Sequence, residues 1–343
     1  MSDFSRRLIR WQKQHGRHDL PWQNTTDVYR VWLSEIMLQQ TQVATVLPYY
    51  ARFLARFPTL KDLAAAPVGE VMALWSGLGY YARARNLHAC ARVVMNEHSG
   101  HFPRDPEQLV TLPGIGRSTA NSIATFCFDA CAPILDGNVK RVFTRCFGIE
   151  GFPGNAAVEK QLWTLAEELM PAKQADIYNQ SQMDLGATLC TRSKPRCADC
   201  PLGEICVARA TNRQAELPQR KPRREIPQRE VTLLILRSKN HVLLERRPPV
   251  GIWGGLLSLP ELPEQASAEV FVAQRLACQI DGVLSAPTGI HTFTHFRLHI
   301  TPLICNVTAH PRAMESGLEW HDLGDLEHIA LPAPIKKLLT ALG

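Results

Sequence analysis

At 343 residues with a net charge of +6, the chain is long enough for two domains that each bury a core, and its mild basic excess suits a polyanionic partner. No apolar run reaches membrane-spanning length, and residues 1–7 lack the apolar core and cleavage site of a secretory signal, so the expectation is a cytoplasmic protein with no membrane partner. Of ten cysteines, Cys90, Cys127, Cys131, Cys146, Cys278 and Cys305 are scattered in apolar segments like buried thiols, while four cluster between 190 and 206, which points to metal rather than disulfides.

From the N-terminus to about residue 210 the apolar spacing predicts helices over residues 5–15, 27–43, 47–57, 60–66, 70–76 and 82–99, joined by Gly/Pro turns and a loop at 18–22. No period-two alternation interrupts them, so this half is read as all-α. In the second helix Glu35 shares a flank with Val28, Val31, Trp32, Leu38 and Gln42. A carboxyl on an apolar face is desolvated, its pKa rises, and it can act as a general acid near neutral pH. A solvated helix acid is the alternative. Gln39, Gln40, Thr41 and Gln42 offer uncharged donors and acceptors, which suit base edges as well as solvent.

Further along, Gly77-Leu78-Gly79-Tyr80-Tyr81 forms a turn before paired aromatics. It can present a ring to a gap in a base stack or pack the ring inside. Leu112-Pro113-Gly114-Ile115-Gly116 is a glycine turn that opens a helix, where free N–H groups and the positive dipole end suit phosphate. Asp136-Gly137-Asn138 starts another helix, and a carboxylate at a helix N-terminus is favoured in its charged form. Glu35 pushed toward protonated and Asp136 toward ionised make the divided pair that glycosidic cleavage requires.

Cys190, Cys197, Cys200 and Cys206 follow as C-x6-C-x2-C-x5-C. Four thiolates so spaced suit tetrahedral zinc or an iron–sulfur cluster. Zinc ribbons usually separate two C-x2-C pairs more widely, which tilts the spacing toward [4Fe–4S]. Arg192, Lys194 and Arg196 give the loop a basic face.

On the motifs at 32–41, 77–81, 112–118 and 135–139 and the four cysteines, residues 1 to about 210 resemble the endonuclease III superfamily of helix-hairpin-helix DNA glycosylases with an iron–sulfur loop. The resemblance extends over the whole chain to the branch that acts on adenine. It implies that Glu35 protonates the leaving adenine and helps activate water. Asp136 stabilises the sugar cation and Asn138 orients the centre. Gly114 and Gly116 belong to the hairpin that grips backbone phosphate. Gln40 and Tyr80 enter the duplex around the lesion, and Trp22, Leu38 and Gln180 line the pocket for the extruded base. Relatives with lyase activity carry a lysine nucleophile where Ser118 stands, and a serine forms no Schiff base. Hydrolysis without strand cleavage is therefore expected, against the alternative of a bifunctional pyrimidine glycosylase and lyase.

Residues 213–228 make a basic, proline-stiffened linker, with Arg213, Arg220, Lys221, Arg223 and Arg224 followed by Arg229 just beyond. Strands are then predicted over 231–236, 241–245 and 255–259, a helix over 266–278 and a strongly alternating stretch over 291–307. This order resembles a Nudix domain, but the paired glutamates of a working metal box are missing, so phosphate hydrolysis is not expected. By the same family resemblance Phe293, Thr294 and His295 recognise 8-oxoguanine opposite the target adenine. The expected architecture is multidomain. An all-α helix-hairpin-helix domain (1–212) carries the [4Fe–4S] loop, and an α+β Nudix-like domain (229–343) follows the linker. The expected protein is a monomer acting on duplex DNA with A:8-oxoguanine or A:G mispairs.

Overall fold

The computed structural model describes residues 1–221, 225–248, 251–276, 278–293, 295–309 and 317–342. Thr294 and the linker residues 222–224 lie outside them. The chain divides into two compact units, one of residues 1–64 with 89–223 and one of residues 65–88 with 224–343. The linear boundary expected at residues 212–229 therefore misses an exchange. The segment that carries Gly77–Tyr81 packs with the second unit.

The first unit is helical. Helix α1 (Asp3–His15) starts where the Ser2 hydroxyl accepts the Ser5 N–H, with Asp3 in its first turn and Lys13 and His15 in its last, as capping and the helix dipole favour. Its apolar stripe of Phe4, Leu8 and Ile9 is buried against α9 (Gly137–Phe147) and α11 (Ala175–Thr188), through Val139, Phe143, Tyr178 and Leu185. Helix α2 (Val28–Leu38) is capped by Asp27, whose side chain accepts from Tyr29 and Arg30 N–H. It packs on α8 (Arg117–Phe128), with Trp32, Leu33 and Met37 fully buried. The helix expected to run to residue 43 ends at Leu38. Gln40 takes a left-handed backbone (φ 58°), Thr41 N–H returns to the Leu38 carbonyl, and α3 (Val43–Arg56) begins anew. The polar run 39–42 is thus a connection, and Gln42 leaves the flank of Glu35.

In the second unit, β1 (Gln228–Ser238) is central to the sheet. It runs parallel to β7 (Arg297–Ala309), from Gln228 opposite Arg297 to Arg237 opposite Asn306. Strand β2 (His241–Arg246) flanks β1 on its other side, and β5 (Cys278–Ser285) flanks β7. A helix at Ala268–Arg275 buries Val272 against Leu234, Leu236, Cys305 and Val307. The alternation expected over 291–307 is not one strand. It is a hairpin, with β6 (Gly289–Thr292) pairing antiparallel to β7 and the Phe293 N–H closing the turn on the Phe296 carbonyl at 2.9 Å. The equal period of the two arms hides the turn in the sequence. Among the described residues no helix is long and apolar enough to cross a membrane.

Candidate active site and cysteine loop

A cavity of about 540 Å³ opens in the helical unit, and Trp22, Glu35, Leu38 and Gln180 all line it. The helix spacing that groups Glu35 with Val31 and Leu38 puts all three on its wall. Trp22 is buried edge-on against Tyr50, with ring centroids 5.3 Å apart. Burial pushes the Glu35 carboxyl up to about 7, the Ser122 hydroxyl opposes the shift, and the nearby charge of Asp136 adds to it. Ser122 Oγ is buried and makes no fully formed hydrogen bond, so its opposition is weak. A carboxyl tuned to this range is half protonated at neutral pH and suits proton transfer.

Asp136 is the N-cap of α9. Its Oδ1 accepts the Val139 N–H at 2.8 Å and its Oδ2 accepts Asn138 Nδ2 at 3.1 Å. Asn138 is held in turn, with its Oδ1 accepting Arg141 Nη2 at 2.8 Å. A Cβ added at Gly186 would lie 2.5 Å from Asn138 Cβ, so the glycine lets α11 approach this turn. One expectation is corrected here. Burial outweighs the bonds from Val139 and Asn138 and the charge of Arg141, and the Asp136 carboxyl is raised rather than lowered. The helix start limits the cost of desolvation without reversing it.

Ser118 donates nothing toward the cavity in these contacts. Its hydroxyl accepts the Leu135 N–H at 3.0 Å and so ties the start of α8 to the strand-like approach to Asp136. Gly114 has φ 78°, a conformation open chiefly to glycine. A Cβ at Gly116 would meet nothing, and no side chain caps α8. The first N–H groups of α8 are thus left without a side-chain cap, an arrangement that suits a phosphate. Gln40 stands at the tip of its turn, whose Gln39 side chain reaches Thr119 at 3.4 Å, beside the same helix start.

The sequence reading missed a buried carboxylate that holds Gln12, Arg17 and Gln180, three residues of the cavity wall. Asp184 is fully buried. Its carboxylate accepts from Arg17 N–H (2.8 Å), Arg17 Nε (2.7 Å), Gln12 Nε2 (3.0 Å) and Gln180 Nε2 (2.9 Å). Buried charge survives when every lone pair is met, and here the bonds also fix the Gln180 amide. Gln12 and Arg17 come from one end of the chain and Asp184 from residues more than 160 further on, so no local spacing signals these bonds.

Cys190, Cys197, Cys200 and Cys206 line one small cavity together with Arg145 and Gln214. Arg145 is buried. Its donors meet the Thr191, Arg192 and Leu217 carbonyls and Cys190 Sγ, the last at 3.4 Å. A buried guanidinium calls for negative charge nearby, which thiolate ligands of a bound cluster would supply. By donor type, and by lining one small cavity together, the four cysteines fit an anionic cluster. Among the described residues no three Cys, His, Asp or Glu side chains stand at metal-binding spacing, and Cys206 faces Cys146.

In the second unit Tyr80 is exposed, with φ 50°, on a turn whose Gly77 and Gly79 also have positive φ. Phe293 stacks on Phe296 (centroids 4.5 Å, planes 21° apart), and Arg229 covers Phe296. Phe293 is half-buried and His295 exposed. The structure brings the cavity residues together, but Tyr80 and the Phe293 turn belong to the other unit.

Comparison with known proteins finds two family matches along the chain. Residues 33–168 match the HhH-GPD superfamily of base excision DNA repair proteins, and residues 231–341 match the NUDIX domain. A thermostable thymine-DNA glycosylase superposes with a TM-score of 0.54 at 29% identity, over 61% of this chain and 95% of that one. Endonuclease III in a non-covalent DNA complex (TM-score 0.52, 22% identity, 61% of this chain and 94% of that one) shares the fold. These matches define a base excision repair glycosylase with an added Nudix-like domain. The adenine DNA glycosylase of Buchnera aphidicola subsp. Acyrthosiphon pisum is 35% identical over 338 residues, 98% of this chain and 96% of its own length. The adenine DNA glycosylase of Mus musculus is 47% identical over 215 residues, 60% of this chain and 41% of the relative. The chain belongs to the adenine DNA glycosylase family, hydrolases acting on N-glycosyl bonds.

Proposed function

We propose that this protein removes adenine mispaired with 8-oxoguanine or guanine in duplex DNA, by hydrolysis without strand cleavage. The observation that carries this reading is the Glu35 carboxyl, raised to about 7 on the wall of a base-sized cavity and within electrostatic reach of Asp136. The adenine is extruded into the cavity beside Trp22, Leu38 and Gln180. Glu35 gives its proton to N7 as the C1′–N9 bond breaks, and the bonding pair leaves with the base. Asp136, held by Asn138, stabilises the oxocarbenium sugar. Glu35, now a carboxylate, takes a proton from the water that adds to C1′.

Hairpin N–H groups around Gly114 and Gly116 hold backbone phosphate, Gln40 and Tyr80 fill the gap in the stack, and Phe293, Thr294 and His295 read the opposite base. Cys190, Cys197, Cys200 and Cys206 would hold a [4Fe–4S] cluster, which supplies a fixed anionic node for a DNA-binding loop. The protein acts as a monomer on nucleoid DNA. Ser118 supports a monofunctional enzyme, because its hydroxyl is spent on the Leu135 N–H and offers no amine.

The test is adenine release from duplexes with A opposite 8-oxoguanine, G, C and T, each repeated with borohydride. Release from the first two without a trapped adduct is expected. Equal release from all four would overturn the mispair assignment, and a borohydride-trapped adduct would overturn the monofunctional one.

A further inference from the structure

We propose that Arg85 is a positioning residue for mispair preference, tying the turn that carries Tyr80 to the loop that carries Trp253. This rests on the reading above, in which Tyr80 enters the duplex and the Phe293 turn meets the opposite base. All the residues concerned lie in the compact unit of 65–88 with 224–343.

Two aromatic residues of this unit have left-handed backbones, Tyr80 (φ 50°) and Trp253 (φ 55°). Such a conformation is costly for a bulky side chain and persists where the surroundings over-determine it. For Tyr80 the restraints come from its own segment. Trp75 Nε1 donates to the Gly79 carbonyl at 3.1 Å, Arg83 Nη2 donates to the Leu78 and Gly79 carbonyls, and the Arg83 guanidinium lies over the Trp75 and Tyr80 rings. For Trp253 the restraints are its neighbours. The ring is buried, with centroids 6.1 Å from Phe293 and 6.2 Å from His291.

Arg85 joins the two. It is half-buried on the helix that follows Tyr80, and its Nη1 donates to the Gly254 carbonyl at 2.6 Å. Gly254 is the residue after Trp253, and Gly255 follows with φ 77°, where an added Cβ would lie 3.7 Å from Arg85 Cδ. A second tie comes from the Leu331 carbonyl, which accepts Ser76 Oγ at 3.1 Å. A continuous path therefore runs from Phe293 through Trp253 and Gly254 to Arg85 and the Tyr80 turn. A charged donor on a buried carbonyl is among the stronger single bonds available to set such a register. Placing Tyr80 then depends on the loop that packs against the lesion-reading turn.

The test uses the full chain and single-turnover adenine release from A:8-oxoguanine and A:G duplexes. A 2-aminopurine beside the opposite base reports insertion of the ring. Arg85→Ala should lower the A:8-oxoguanine rate by about tenfold, the scale of one hydrogen bond to a charged group, lower the A:G rate less, and weaken the fluorescence change. Arg85→Lys should recover part of both, and Arg85→Ala added to Tyr80→Leu should cost nothing beyond Tyr80→Leu alone. An unchanged ratio of the two rates in Arg85→Ala overturns the proposal, as does an equal loss on both duplexes with a lowered melting temperature. If Tyr80→Leu is itself silent, the intercalation reading beneath the proposal has failed. If Tyr80→Leu is damaging and Arg85→Ala is silent, only the proposal has.

Discussion

The helical unit and the sheet unit hold their chemical side chains by opposite means. In the helical unit the carboxyls are buried and hydrogen-bonded, with Asp184 fixed by Arg17, Gln12 and Gln180 and Asp136 by Val139 and Asn138. In the sheet unit rings are held on turns, with Trp253, Phe293 and Phe296 packed and Tyr80 and His295 left exposed. Moving a proton needs a dry, preorganised field. Reading a base needs stiff surfaces that water does not keep. On the function proposed above the two units divide those tasks, and substitutions should separate rate from preference.

The largest effect expected is in the helical unit. Glu35→Gln should lower adenine release by about a thousandfold, within the range for a lost general acid, while mispair binding in a gel-shift assay is kept. A variant that excises at the normal rate would remove Glu35 from its role. Asp136→Asn should cost about a hundredfold in the same single-turnover assay, because the amide keeps the cap but not the charge. Its melting temperature should stay close to that of the parent, and a large drop would reassign Asp136 to folding. In the sheet unit the loss should be smaller and selective. Phe293→Ala should reduce the preference for 8-oxoguanine over guanine by about tenfold with little change in the A:G rate. Loss of both rates alike would contradict a reading role. Deleting residues 229–343 is a poorer test, because residues 65–88 pack with the part removed.

What could be read from the sequence follows the same division. Glu35, its apolar flank and the helix starts at Asp136 and Gly116 are local patterns, so they were legible before any fold was known. Fold class was legible too, since period 3.6 gives way to period 2 after the linker. The Asp184 network was not, because its partners meet only through the packing of α1 on α11. The direction of the Asp136 shift was misread for a related reason. A helix N-terminus is visible in sequence, but the burial that outweighs it is a property of the folded site. The hairpin at Phe293–Phe296 was hidden by two arms of equal period, and its turn lacks the glycine that usually marks one. The clustering of the four cysteines was legible by spacing, while the buried Arg145 whose donor meets Cys190 Sγ was not.

An effect on stability rather than on rate sharpens the account of the helical unit, because its sign opposes that on rate. Glu35 is raised from 4.5 to about 7 on folding, so between those values the folded protein binds more protons than the unfolded chain. Stability from this group is complete below pH 4.5 and is lost as pH rises through about 7. Asp136 is also raised and adds in the same direction at lower pH. With allowance for water in the cavity, carrying the Glu35 charge at pH 8 costs about 2 kcal/mol. Glu35→Gln removes that charge. Denaturant unfolding at pH 8 should therefore find the variant more stable than the parent, and at pH 4.5 the two should coincide. A catalytic acid held in a dry wall is destabilising whenever it is ionised, whereas a structural carboxylate such as Asp184, paired on all sides, is destabilising when it is replaced. If Glu35→Gln lost stability at pH 8, Glu35 would belong with Asp184 as a structural group. The raised pKa would then be a by-product of burial rather than a tuned acid.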